Sequence, residues 1–132
     1  MATGHMITAA GTTWPDRFTF SPALRVGNLL FISGTTATDE HGQLVAPGDI
    51  VGQTRYIYEK FAGLLAAAGA GLDHIVQTTE YITTTENYRG TADVRRAIFR
   101  PPYPTATGVI VAGLLRPGTL IEISAVAVLP EP

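Results

Sequence analysis

Two stretches of this chain are apolar on both sides of a strand. Leu29-Leu30-Phe31-Ile32-Ser33 and Leu120-Ile121-Glu122-Ile123-Ser124-Ala125-Val126-Ala127-Val128 are bounded by turn residues and are too short or too β-rich for helices. Side chains alternate across a strand, so Leu29, Leu30, Phe31, Ile32, Ile121, Ile123, Val126 and Ala127 cannot share one face. A sheet built from them must be covered on both sides. Only two segments read as helices, so the second cover has to come from outside the chain.

The clearest helix runs over residues 49–69. Asp49 suits its N-terminus, where a carboxylate meets unpaired amides, and Gly69 suits its end. Ile50, Ile57, Phe61, Leu64, Leu65 and Ala68 fall on one stripe, with Gln53, Arg55, Glu59 and Lys60 expected to face away. A shorter helix is expected over Asn87–Phe99, stopped by Arg100-Pro101-Pro102. Further strands are expected through Phe18–Phe20, over Ile75–Ile82 and over Thr107–Ala112, with turns at Gly27-Asn28, His41-Gly42 and Arg116-Pro117-Gly118. The order predicts an α+β fold, one mixed β-sheet with two helices packed on one face.

At 132 residues this is one domain. Residues 1–15 read as a flexible N-terminus in which Gly4-His5-Met6 is a cloning remnant, and 16–132 as the domain. Charged residues make up only 15%, against about 25% usually. A neutral surface of that extent fits a subunit interface. The net charge is −2, and the single lysine and eight arginines are scattered apart from Arg95-Arg96, so no basic field for nucleic acid exists. No apolar run is long enough to span a membrane, and no signal peptide is recognisable, which makes the cytoplasm the default location. With no cysteine, thiol chemistry and thiolate metal sites are excluded. His5, His41 and His74 lack metal-ligand spacing, and no phosphate-binding glycine loop is present.

Glu122 is the strongest chemical candidate. It is the one charge in its strand, between Ile121 and Ile123, and desolvation there would raise its pKa toward the range of a general acid or base. The alternative is a solvated glutamate, or one paired with an arginine of a neighbour. Ser33 ends a strand beside Gly34, where a hydroxyl next to bare backbone can meet a ligand. No nucleophile elbow or partner histidine accompanies it, so a serine closing a turn is the simpler reading. Glu80, alternating with Thr78, reads as part of a polar sheet face. Whether it meets Glu122 stays open.

Several stretches together resemble one family. Ser21-Pro22-Ala23-Leu24-Arg25-Val26-Gly27-Asn28-Leu29-Leu30-Phe31-Ile32-Ser33-Gly34, Leu64–Ala70, Ile75–Thr79 and Ile121–Val128 are similar, in this order, to the RidA family, also called YjgF/YER057c/UK114. The resemblance runs from about Phe20 to Val128. It implies a chorismate-mutase-like fold, a homotrimer, and small-molecule clefts between subunits. It also implies cofactor-free hydrolysis of enamines and imines to ketoacids and ammonia; some members have been described as ribonucleases.

Carried over by residue, the family's site glutamate falls on Glu122, its serine and glycine on Ser33 and Gly34, and its aromatic residues on Phe20 and Tyr88. Its substrate-binding segment departs, reading Pro104-Thr105-Ala106-Thr107-Gly108. Ala106 stands where the carboxylate-binding arginine is expected, Gly108 where a cysteine is, and Ala92 where an asparagine is. An arginine–carboxylate pair contributes about 1.5–3 kcal/mol. Its loss implies a wider, more neutral pocket formed by Phe20, Ser33, Gly34, Tyr88, Ala106, Thr107 and Gly108, with Arg25 and Arg116 open as substitute cations. The expected function is that of a divergent enzyme on a larger, less anionic enamine, imine or related activated double bond, suited to a catabolic or secondary-metabolite pathway. A non-catalytic trimeric binding or chaperone-like protein is the alternative, and RNA cleavage comes last.

Overall fold

The computed structural model describes residues 3–131. Six strands form one mixed sheet: β1 (His5–Ile7), β2 (Ala23–Val26), β3 (Leu29–Thr36), β4 (Ile75–Ile82), β5 (Thr105–Ile110) and β6 (Ile121–Val128). Two helices, α1 (Ile50–Ala67) and α2 (Thr91–Ile98), complete the fold. The strands lie in the order β1-β2-β3-β6-β4-β5. All neighbours are antiparallel except β4 and β5. The expected α+β architecture is what the chain adopts.

Local chemistry sets the boundaries. Asp49 caps α1, its carboxylate accepting from the Gly52 amide at 3.0 Å. Gly69 follows with φ +79°, a left-handed conformation that costs a Cβ-bearing residue energy. The β2–β3 hairpin turns at Gly27, where φ is +60°.

One face of the sheet carries the core. Ile57, Phe61 and Leu65 of α1 are buried with Leu30 and Ile32 of β3 and Ile121, Ile123 and Ala127 of β6. Alternate β6 residues Glu122, Ser124, Val126 and Val128 point the other way and are more exposed. Phe31, Gln77, Thr79, Ser124 and Val126 line a shallow depression on that uncovered face. All of β5, at the sheet's edge, is exposed.

Three local expectations change. Phe18–Phe20 is a loop rather than a strand, and its rings stack with Trp14. Within the N-terminal segment read as flexible, His5–Ile7 pairs with Ala23–Arg25 and covers the β2 edge; Met1 and Ala2 of that segment lie outside the described residues. Gln53 and Lys60 do not face solvent. Gln53 is fully buried, its amide donating to the Ala46 carbonyl at 3.2 Å and accepting from the Leu120 amide at 2.8 Å. Lys60 Nζ donates to Thr35 Oγ1, the Thr36 carbonyl and the Thr38 carbonyl at 2.7, 2.9 and 2.9 Å. Hydropathy marks both as solvent-facing, yet these two polar side chains are held by partners distant in sequence.

Candidate functional site

The β3–β6 ladder is interrupted once. Ile32 pairs with Ala125 and Thr35 with Ile123, so Ser33 and Gly34 together oppose Ser124 as a β-bulge. The bulge re-aims the strand at the point where the candidate carboxylate lies. A Cβ built on Gly34 would stand 2.6 Å from Glu122 Oε2, so only a glycine leaves room for that carboxylate. Glu122 itself is half-buried on the face away from the helices, opposite Thr36 and Tyr81. Ile121 and Ile123, its neighbours in sequence, point into the core on the other side. The apolar surroundings expected from sequence are therefore not the groups that meet the carboxylate.

Ser33 anchors this corner. Its hydroxyl donates to the Ser21 carbonyl at 2.6 Å, and its amide donates to the Pro22 carbonyl at 3.0 Å. That is the turn-closing role, with the hydroxyl proton already committed. The bonds tie the bulge to the segment carrying Phe20, whose ring is 52% exposed and stands edge-on to Trp14 at 5.4 Å. Trp14 Nε1 donates to the Phe20 carbonyl at 2.8 Å.

The remaining candidates, Thr107 excepted, occupy the opposite face. On β5, Ala106 pairs with Thr78 and Gly108 with Glu80, and Thr78 and Glu80 are both buried on the helix side. Thr107 pairs with Thr79 and joins the uncovered face instead. Tyr88, in a single helical turn before α2, sends its phenol to Glu80 Oε1. The Tyr88 phenol oxygen would lie 3.3 Å from a Cβ on Gly108. Tyr88 thus does more than form a wall, because its hydroxyl fills the space beside Gly108. Burial first, and the bond to Glu80 second, push its pKa up to about 12.

Glu80 is the site residue that sequence reasoning undervalued. It does not belong to a polar sheet face: it is 3% exposed and bonded by Tyr88 and by Arg95 Nη1 at 3.3 Å. It does not meet Glu122 either, since the sheet lies between them. Arg95 also donates to Thr91 Oγ1 at 2.9 Å. It borders a cleft of about 240 Å³ with Ala92, Phe99, Tyr103 and Ala106. The arginine pair was visible in the sequence, but nothing local linked Arg95 to a carboxylate on a distant strand. Among the described residues no cluster of His, Asp or Glu is arranged to hold a metal ion, and no helix is long and apolar enough to cross a membrane.

The candidates therefore divide into two groups. Phe20, Ser33, Gly34 and Glu122 gather around the bulge, while Tyr88, Ala106 and Gly108 gather with Glu80 and Arg95 under α2.

Comparison with known proteins agrees with this architecture. Residues 14–129 match the family model described as endoribonuclease L-PSP. A solved structure named protein YJGH is 32% identical, with a TM-score of 0.83, over 99% of this chain and 100% of the other. A member of the YjgF/YER057c/UK114 family from Mycobacterium tuberculosis is 30% identical, with a TM-score of 0.77, over 94% and 98%. RidA from an Antarctic Psychrobacter is 25% identical, with a TM-score of 0.79, over 98% and 100%. With a family model spanning nearly its whole length and these relatives matched end to end, the chain belongs to the endoribonuclease L-PSP family, the YjgF/RidA proteins.

Proposed function

We propose that this chain is a divergent family enzyme that works as a homotrimer on a larger, less anionic substrate than the 2-iminoacids. Its target is an enamine, an imine or a related activated double bond. The observation that carries this reading is the division of the site across the two sheet faces. One protomer cannot bring Glu122 to Ala106 and Gly108, and on this reading a neighbouring copy packed on the uncovered face supplies the missing half. Phe31 and Val128 are 43% and 37% exposed there, as an interface would require.

In hydrolysis of an iminium, Glu122 accepts a proton from water as the water oxygen bonds to the iminium carbon. The resulting carbinolamine takes that proton onto nitrogen. The C–N bond then breaks to release ammonia, and the hydroxyl passes its proton through Glu122 to that ammonia, leaving the carbonyl and ammonium. An enamine enters the same sequence after protonation at carbon. No cofactor is required by this chemistry.

Small residues at 92 and 106 support the wider, more neutral pocket, and they also support the second reading, a trimeric binding protein without turnover. RNA cleavage is disfavoured by the net charge of −2. Glu122→Gln separates the first two. Turnover of a panel of neutral enamines generated in situ should vanish while sedimentation still reports a trimer. Unchanged turnover would remove Glu122 from the mechanism, and a monomeric parent protein would remove the composite site.

A further inference from the structure

The cleft beside α2 holds two arginines, and both are already paired with acids. Arg95 Nη1 lies 3.3 Å from Glu80 Oε2, with the carboxyl group 4% exposed. Arg96 Nη1 lies 2.8 Å from Asp93 Oδ1 at the surface. Yet Arg95 spends only one nitrogen on its partners. Both bonds, to Glu80 and to Thr91 Oγ1, come from Nη1. Among the described residues, neither Nε nor Nη2 of Arg95 has an acceptor. The side chain is 27% exposed and borders the cleft that Ala92 and Ala106 leave open.

We infer that Arg95 anchors the ligand in this cleft, and that its pairing with Glu80 suits it to a neutral carbonyl oxygen, as in an amide, ester or ketone, rather than to a carboxylate. A guanidinium neutralised by a buried carboxyl group still offers N–H donors but little net charge. A carboxylate would gain the hydrogen bonds and meet Glu80 as a like charge. A carbonyl gains the same bonds without that repulsion. The inference rests on the reading of this cleft as half of the composite site, and it names the substrate class that half selects.

Pyruvamide and pyruvate are suitable probes, alike in size and different in charge. Binding is followed by ligand-observed NMR, and engagement of Arg95 by the shift of its side-chain 15Nε–H resonance. The parent protein should bind pyruvamide more tightly than pyruvate, with the Arg95 resonance moving along the titration. Arg95→Met should weaken pyruvamide about tenfold, the factor for losing one hydrogen bond to a charged donor. Glu80→Gln, which frees the guanidinium charge, should shift preference toward pyruvate by about tenfold or more.

Preference of the parent protein for pyruvate would overturn the inference. So would an unmoved Arg95 resonance, unchanged binding in Arg95→Met, an unchanged ratio in a folded Glu80→Gln, or no saturable binding of either probe. The resonance shift needs no variant, so it decides the matter even where a substitution disturbs folding. Turnover in Glu122→Gln tests the catalytic reading separately.

Discussion

The Glu122 carboxylate lies across Gly34, its Oε2 2.6 Å from where a Cβ would stand on that glycine. Gly34 is not among the residues with positive φ, so alanine meets no backbone strain there. The conflict is only with the end of a flexible side chain. Gly34→Ala should therefore fold with stability within about 1 kcal/mol of the parent and push the carboxylate aside. A misplacement of that order costs up to about a hundredfold in rate. Thermal melting together with enamine turnover checks both halves, and retained turnover would show that the position of Glu122 over the bulge is immaterial.

Ala106 faces the cleft with no cation of its own. The parent protein should accelerate pyruvate release from 2-aminoacrylate only poorly. Ala106→Arg restores a carboxylate anchor, and about 1.5–3 kcal/mol of charged hydrogen bonding corresponds to a gain of roughly tenfold to a hundredfold in kcat/KM. Efficient deamination by the parent, or no gain in the variant, would refute the link between position 106 and substrate charge.

Tyr58 is 1% exposed, and among the described residues its hydroxyl has no partner in good hydrogen-bonding geometry. Burial, followed by the charge of Glu80, drives its pKa upward. The ring itself packs edge-on against Phe61 and Phe99 at 5.8 and 5.5 Å. An unsatisfied buried hydroxyl destabilises, so Tyr58→Phe should keep the packing and be neutral or stabilising by about 1 kcal/mol. That is about 3–4 °C in Tm for a domain of this size. A clear loss of stability would mean that the hydroxyl has a partner in the assembled protein.

Lys60 gives stability a pH dependence. Burial, with the Arg116 charge adding to it, pulls the pKa down from 10.5 to about 8. Above about pH 8 the folded protein has released a proton that the unfolded chain still holds until about 10.5. The unfolded state then binds more protons, so stability rises with pH across that window. Tyr88, raised from 10 to about 12, has the opposite effect from about pH 10 upward, which makes pH 7 to 9.5 the informative range. Urea midpoints should climb over that range in the parent protein and stay flatter in Lys60→Met.

Local pattern and long-range pairing were unequally readable. Helix α1 and strand β6 follow from periodicity, a capping Asp49 and the left-handed Gly69, all of which act within a few residues. Glu122 stood out because it interrupts an apolar strand. What no window of sequence could reveal is which face a polar residue takes. Glu80 and Thr78 alternate as an exposed polar face would, yet both lie under the helices. Glu80 is tolerated there only through Arg95, fifteen residues away on another element. Gln53 and Lys60 looked like solvent-facing helix positions for the same reason, since their acceptors lie on segments brought near by folding. The three-residue β1 had no apolar alternation to announce it and exists because β2 offers an open edge.

The sheet that separates Glu122 from Ala106 also has a genetic consequence. On the proposed reading, each complete site borrows one half from one copy and one half from the next. A chain damaged at Glu122 is then inactive alone and one damaged at Arg95 binds substrate poorly alone, but their mixed assemblies contain some intact sites. Co-expressing the two should restore part of the activity, and a single defective copy should impair healthy neighbours when both are present. Inheritance of such alleles would show partial complementation and partial dominance, a pattern set by which face of one strand a glutamate occupies.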